Sequence, residues 1–143
     1  MRPGPKDKVL RIPPAVLRRV HAQLTRAARR AAPREANGLF FGPASEPGLL
    51  LDAVELENLA VGEGRFELDP AGWVAAEARA RGAGLALGGF WHSHPSGTAR
   101  PSSADASAAS LGSLHGIVTP AGALAFFRRT AAGFARLDYP SGS

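Results

Sequence analysis

Cysteine is absent from this sequence. That excludes disulfides and thiolate-built zinc ribbons, and says little more about the redox compartment. No apolar run approaches the ~18 residues that a membrane-spanning helix needs, so a soluble chain is expected. The basic opening stretch, residues 1–8 (MRPGPKDK), is not followed by a long apolar segment. The secretory pattern is therefore missing, and a cytoplasmic location is expected. Acidic residues are outnumbered, 12 against 17 Lys and Arg. Histidine is scarce too, with four in the chain.

What is present suits a folded protein. At 143 residues and 45% hydrophobic content, the chain is long enough for one domain with a real core, and its composition argues against disorder. The net charge of +5 and pI of about 11.0 invite a nucleic-acid reading. All the cations but Lys6 and Lys8 are arginines, and with abundant Ala, Gly and Pro this is what a GC-rich coding sequence produces without selection for a partner. No nucleic-acid-binding motif accompanies the charge, so an acidic protein partner is the better use of it.

Residues 1–8 and 140–143 read as loose tails around one domain, 9–139. Val9 to Ile12 is expected as a short edge strand, ended by Pro13-Pro14. From Ala15 to Ala32, Val16, Leu17, Val20, Leu24, Ala27, Ala28 and Ala31 recur at helical spacing. This predicts an amphipathic helix on a sheet, with its arginines solvated and His21 structural or exposed. Pro33 to Gly42 is a turn running into a short apolar strand. Leu49 to Leu59 alternates as a half-exposed strand, with Glu55 and Glu57 outward and Asn58 closing it on local backbone. Phe66 to Leu68 is a further short strand. Asp69 caps a helix from Pro70 to about Arg81, anchored by Trp73 and ended by Gly82 and Gly84. HGIVT (115–119) and ALAFFR (123–128) are strands joined by Pro120-Ala121-Gly122, and Phe134 to Tyr139 is a last strand. His115, in a core strand, reads as structural. The order predicts an α/β or α+β layer structure with a mixed sheet.

The chemistry concentrates in Gly88 to Asp105, GGFWHSHPSGTARPSSAD. The apolar run from Leu85 to Trp91 reads as a buried strand, so His92 and His94 share one face while Trp91 and Ser93 share the other. Pro95 ends the strand. A serine of Pro101-Ser102-Ser103 then caps a helix over Ala104 to Leu114, which places Asp105 in its first turn, able to point back at the strand end. Two imidazoles and a carboxylate suit Zn²⁺, and a fourth position left to water is the catalytic pattern. Other H-x-H sites fit poorly. A metallo-β-lactamase needs more histidines close behind, a nucleobase deaminase needs P-C-x-x-C, and an amidohydrolase barrel needs about 250 residues.

His92-Ser93-His94-Pro95, six residues, Ser102, two residues and Asp105 resemble the signature of the JAMM (MPN+) metallopeptidases, in a short prokaryotic form. Pro33-Arg34-Glu35-Ala36-Asn37-Gly38-Leu39-Phe40-Phe41-Gly42 is similar to that family's P-x-E-x-x-G-L segment, with Asn37 where many relatives carry cysteine. The resemblance implies a single-domain fold with a curved mixed sheet flanked by helices, and Zn²⁺ held by His92, His94 and Asp105. It makes Glu35 the general acid/base and Ser102 the donor to the oxyanion, beside that serine's plainer role as a helix cap. It implies a zinc peptidase or isopeptidase acting after the C-terminal Gly-Gly of a ubiquitin-like or sulfur-carrier protein, since this compact chain leaves little room for the insertions of the large ubiquitin-cleaving members. Two alternatives stay open, a zinc hydrolase of small peptides or amides and a non-catalytic MPN-type scaffold. A homodimer is also left open.

Overall fold

The structure is a computed structural model and describes residues 8–61, 66–102, 105 and 109–139. The elements run α1 (Pro14–Ala31), β1 (Asn37–Pro43), β2 (Asp52–Leu56), α2 (Pro70–Gly82), β3 (Leu85–Ser93), β4 (Leu114–Val118), β5 (Leu124–Thr130) and β6 (Gly133–Leu137). The strands form one six-stranded sheet in the order β2-β1-β3-β4-β5-β6. β3 and β4 are parallel and every other pair is antiparallel, so the fold is the expected mixed α+β architecture. No helix among the described residues is long and apolar enough to cross a membrane.

Each helix covers one face. α1 buries Leu17, Val20, Leu24, Ala27 and Ala28 in a core shared with Phe40, Trp91, Val118 and Phe126. The helical spacing of those residues makes that stripe. Three of its exposed arginines are engaged: Arg19 meets Asp52 at 3.1 Å, Arg29 donates to the Pro120 carbonyl at 2.7 Å, and Arg30 pairs with Glu55. α2 covers the other face over a smaller cluster of Leu39, Phe41, Leu56, Ala76 and Ala80, with Trp73 and Phe90 packed against it. Asp69 caps α2 as expected, accepting the Ala71 N–H at 3.1 Å. Gly38 is required by close packing: a Cβ there would lie 2.0 Å from the Val54 carbonyl and 2.5 Å from Trp91 Nε1.

Four expectations change. The helix expected to reach Leu114 stops earlier. Asp105 is helical, residues 106–108 lie outside the described residues, and Leu114 already opens β4. Gly112 turns the chain there at φ +83°, and its N–H bonds the Arg129 carbonyl at 2.8 Å, a tertiary partner that no local pattern announces. Val9 to Ile12 makes only isolated bridges, Val9 to Asp138 and Arg11 to Leu49. The strand read over Leu49 to Leu59 is regular only over β2, and Phe66 to Leu68 contributes a single bridge from Leu68 to Asn58. Asn58 explains both: its Oδ1 accepts the Ala60 and Glu67 N–H groups at 2.9 and 3.0 Å and turns the chain. Of the tails expected over 1–8 and 140–143, residues 1–7 and 140–143 lie outside the described residues, while the Lys8 carbonyl accepts the Asp138 N–H at 2.8 Å.

Candidate metal centre

β3 delivers both histidines at its carboxyl end, beside its parallel partner β4, where open sheets with parallel strands place their ligands. His94 N–H bonds the Val118 carbonyl at 2.9 Å, holding the chain to β4 as it leaves β3. Because side chains alternate along a strand, His92 faces the α2 side, while Trp91 and Ser93 face α1. Trp91 is 1% exposed and donates to the Val54 carbonyl at 3.2 Å, a core role as expected.

Glu35 arrives from the turn between α1 and β1, and three hydrogen bonds fix that turn. Ser93 Oγ accepts the Ala36 N–H at 2.8 Å, Ser93 N–H donates to the Ala36 carbonyl at 2.9 Å, and Asn58 Nδ2 donates to the Glu35 carbonyl at 2.8 Å. Ser93, between the two histidines in sequence, thus clamps the glutamate's segment to the histidine strand. The bond from Asn58 to the Glu35 carbonyl has no sequence signal.

Ser102 and Asp105 form a reciprocal cap. Ser102 Oγ accepts the Asp105 N–H at 3.1 Å, and Asp105 Oδ2 accepts the Ser102 N–H at 2.7 Å. This is the capping-box arrangement with aspartate in the acidic position. It also aims the carboxylate at the strand end. Asp105 Oδ1 lies 3.3 Å from His92 Nε2, and Oδ2 lies 3.3 Å from His94 Nε2. The two Nε2 atoms are 3.1 Å apart. Glu35, His92 and His94 each offer a ligand atom within 4.8 Å of the others. The five residues singled out in the sequence therefore meet in one place, Ser102 through its bond to Asp105.

The donor set fits a tetrahedral divalent cation. Ligand atoms ~2.0–2.2 Å from a tetrahedral zinc-sized ion lie roughly 3.3–3.6 Å from one another; the two Nε2 atoms are 3.1 Å apart, and each lies 3.3 Å from one oxygen of the Asp105 carboxylate, Oδ1 for His92 and Oδ2 for His94. His94 Nδ1 lies 3.0 Å from the Thr98 carbonyl. A proton on Nδ1 then leaves the Nε2 lone pair for the site, the usual outer-shell device for a ligating histidine. Phe66 stacks on His92, ring centroids 4.6 Å apart.

The charges follow from burial and contact. Burial raises the Glu35 pKa, against the lowering effect of His92 and His94. Burial alone would push Asp105 up, but hydrogen bonds from His92, His94 and the Ser102 N–H hold its carboxyl well below the usual range. The bond to Asp105 raises the His94 pKa. His115 is not among the close ligand atoms of Glu35, His92 and His94, yet it lines a cavity with His92 and Asp105. Burial pushes its pKa down to about 4. His21 sits far from this cluster in α1, its Nε2 2.6 Å from the Gly122 carbonyl.

Among solved structures, a protein of Desulfitobacterium hafniense is similar at 26% identity and TM-score 0.74, over 90% of each chain. A JAB1/MPN domain protein from Archaeoglobus fulgidus is similar at 20% identity and TM-score 0.57, over 92% of this chain and 98% of that one. A structure described as JAMM, a metalloprotease-like zinc site in the proteasome and signalosome, is similar at 19% identity and TM-score 0.54, over 93% and 99%. At those lower identities the likeness is one of fold. No curated protein matches. The family model of prokaryotic homologs of the JAB domain matches residues 17–130, which take in most of α1, Glu35, both histidines, Ser102 and Asp105, and the chain belongs to that family.

Proposed function

We propose that this chain is a zinc-dependent peptidase or isopeptidase that hydrolyses the amide bond after the Gly-Gly tail of a ubiquitin-like or sulfur-carrier protein. The observation that carries the reading is the convergence of Glu35, His92, His94 and Asp105. His92, His94 and Asp105 would hold zinc, which when bound would supply Lewis-acid polarisation of a carbonyl and a water acidified to a pKa of about 7. Glu35 is the group that takes a proton from the attacking water and hands it to the leaving amine; burial, by raising its pKa, suits it to do both. The Ser102 hydroxyl accepts from Asp105 N–H through its oxygen and so keeps its proton for a developing oxyanion. Asp105, locked by the Ser102 N–H, orients the ligand set.

Family membership supports the reaction class, as does the likeness to a fold described as carrying a metalloprotease-like zinc site. A Gly-Gly tail suits the recess: Glu35 and His92 are only 6% and 3% exposed, and an extended tail without side chains approaches such a cluster most closely. The test is intact-mass detection of cleavage by zinc-loaded protein of carriers extended past Gly-Gly. Cleavage after the second glycine, lost with chelator and in Glu35→Gln, is the expected result, with zinc lost in His92→Ala. Full zinc stoichiometry in His92→Ala would overturn the ligand assignment. Zinc bound with no carrier cut would transfer the reading to a small peptide or amide, and no zinc in carefully loaded protein would transfer it to a scaffold.

A further inference from the structure

On the α2 face, next to the ligand cluster, the fold leaves a cavity of about 340 Å³. Its walls include Phe66, Leu68, Trp73, Phe90 and His115, and His92 and Asp105 form the edge it shares with the candidate metal centre. The walls come from separate parts of the chain: Leu68 just before α2, Trp73 within α2, Phe90 on β3 and His115 on β4. They brace one another. Trp73 meets Phe90 edge to face at 5.3 Å, and Phe90 stacks on His115 at 5.7 Å.

The walls are uncharged. His115 is neutral at neutral pH because burial pushes its pKa to about 4. Its Nε2 lies 2.6 Å from Ser113 Oγ, and that hydroxyl donates to the Ser110 carbonyl at 2.6 Å. Ser113 must therefore accept from His115, which occupies the Nε2 proton within the protein. What remains is an aromatic and aliphatic chamber whose charged neighbour is a carboxylate at the edge.

We infer that this cavity receives the side chain of the residue on the amine side of the scissile bond, and that this residue is large and apolar, aromatic or leucine-like. The inference rests on the Gly-Gly reading above. With glycines on the acyl side, the side chain nearest the bond belongs to the leaving residue, and glycine has nothing to put into such a volume. Aromatic side chains bury the most surface and stack at the centroid distances these walls offer. An acidic side chain would meet apolar walls and the Asp105 carboxylate. In the reaction, water's oxygen bonds to the glycine carbonyl carbon, the C–N bond breaks, and the amine leaves with a proton as the N-terminus of the bulky residue.

Two measurements on the zinc-loaded full chain test this. The first compares kcat/KM for carriers extended past Gly-Gly by Phe, Leu, Ala or Asp. A preference of roughly tenfold or more for Phe and Leu over Ala is expected, the scale on which apolar pockets discriminate, with Asp poorest. Ala109→Phe, which places a ring in the same cavity, is expected to erase that preference. The second follows tryptophan fluorescence during titration with phenylalanine amide and with glycinamide, Trp73→Phe serving to assign the signal. Saturable change with the first ligand alone is expected. Equal rates for all four extensions, or equal responses to both amides, would overturn the inference. If no carrier is cut but phenylalanine amide saturates the Trp73 signal, the chamber stands and the Gly-Gly reading falls. If neither occurs, both fall.

Discussion

One strand, β3, faces two differently finished surfaces. On the α1 side, Trp91 and Ser93 are 1% and 0% exposed, and each polar atom has a partner: Trp91 Nε1 on the Val54 carbonyl and Ser93 Oγ on the Ala36 N–H. Leu24, Phe40 and Phe126 close that side at 0% exposure. On the α2 side, Phe90 and His92 face a cavity, a histidine with a depressed pKa and the ligand cluster. Opposite His92 stands Asn37, 0% exposed, its two amide atoms without a partner among the described residues. The fold invests its stability on one face and keeps its incomplete chemistry on the other. Departures from full packing and full polar pairing are expected at functional sites, where other parts of the fold compensate.

A pair of substitutions would break that division if it is wrong. Glu35→Gln should lower kcat/KM on the order of 10²–10⁴-fold, the worth of a positioned acid/base. It should leave Tm unchanged or raised, since a buried carboxyl whose ionisation burial opposes becomes a neutral amide. Leu24→Ala on the other face should cost about 2–5 kcal/mol of unfolding free energy and leave zinc bound per folded chain unchanged. Chemical denaturation, elemental analysis and kinetics on both variants check this. Loss of folding in Glu35→Gln, or loss of zinc from folded Leu24→Ala, would show the two faces to be coupled.

The proximity of His92, His94 and Asp105 was legible because it is local. Strand alternation places His92 and His94 together, and a cap read from Pro101-Ser102-Ser103 aims Asp105, all within one short stretch. Glu35 was legible through family resemblance alone, since its approach to the histidines depends on β1 pairing with β3 and on clamps from Ser93 and Asn58. The cavity was not legible. Phe66, Trp73, Phe90 and His115 each read locally as ordinary strand or helix residues, and their enclosure of one volume is decided by tertiary paths. The helix end before Leu114 escaped for the same reason, being set by Gly112 bonding to β5.

His115 sharpens the comparison through pH. Its pKa is about 4 in the fold against 6.5 unperturbed, so the unfolded chain takes up its proton first as pH falls. Stability therefore declines between about pH 6.5 and 4, and this group contributes nothing above that window. The integrated cost is on the order of 3 kcal/mol at most, at ~1.4 kcal/mol per unit. His115→Gln removes the titration. The difference in unfolding free energy between the parent and His115→Gln should slope across that window and flatten on either side. A flat difference would mean that the ring titrates in the fold as it does in the unfolded chain, so that burial in the chamber does not oppose its charge.

The smallest effect concerns Asn37. Buried polar atoms left unpaired cost on the order of 1–3 kcal/mol, and replacing them with an apolar group of similar size recovers part of that. Asn37→Leu should therefore raise the Tm of the zinc-free protein by a few degrees, about 1 kcal/mol for a domain of this size. Ser93→Ala, the matching change on the α1 side, should lower it, because the Ala36 N–H would lose its acceptor. Opposite signs for two equally buried polar residues, one on β1 and one on β3, would show that the sheet's two faces are held to different standards of pairing. A fall in Tm for Asn37→Leu would instead put a partner on the amide. The direct register of Asn37 against His92 would place that partner beside the ligand cluster, making Asn37 part of the site's support.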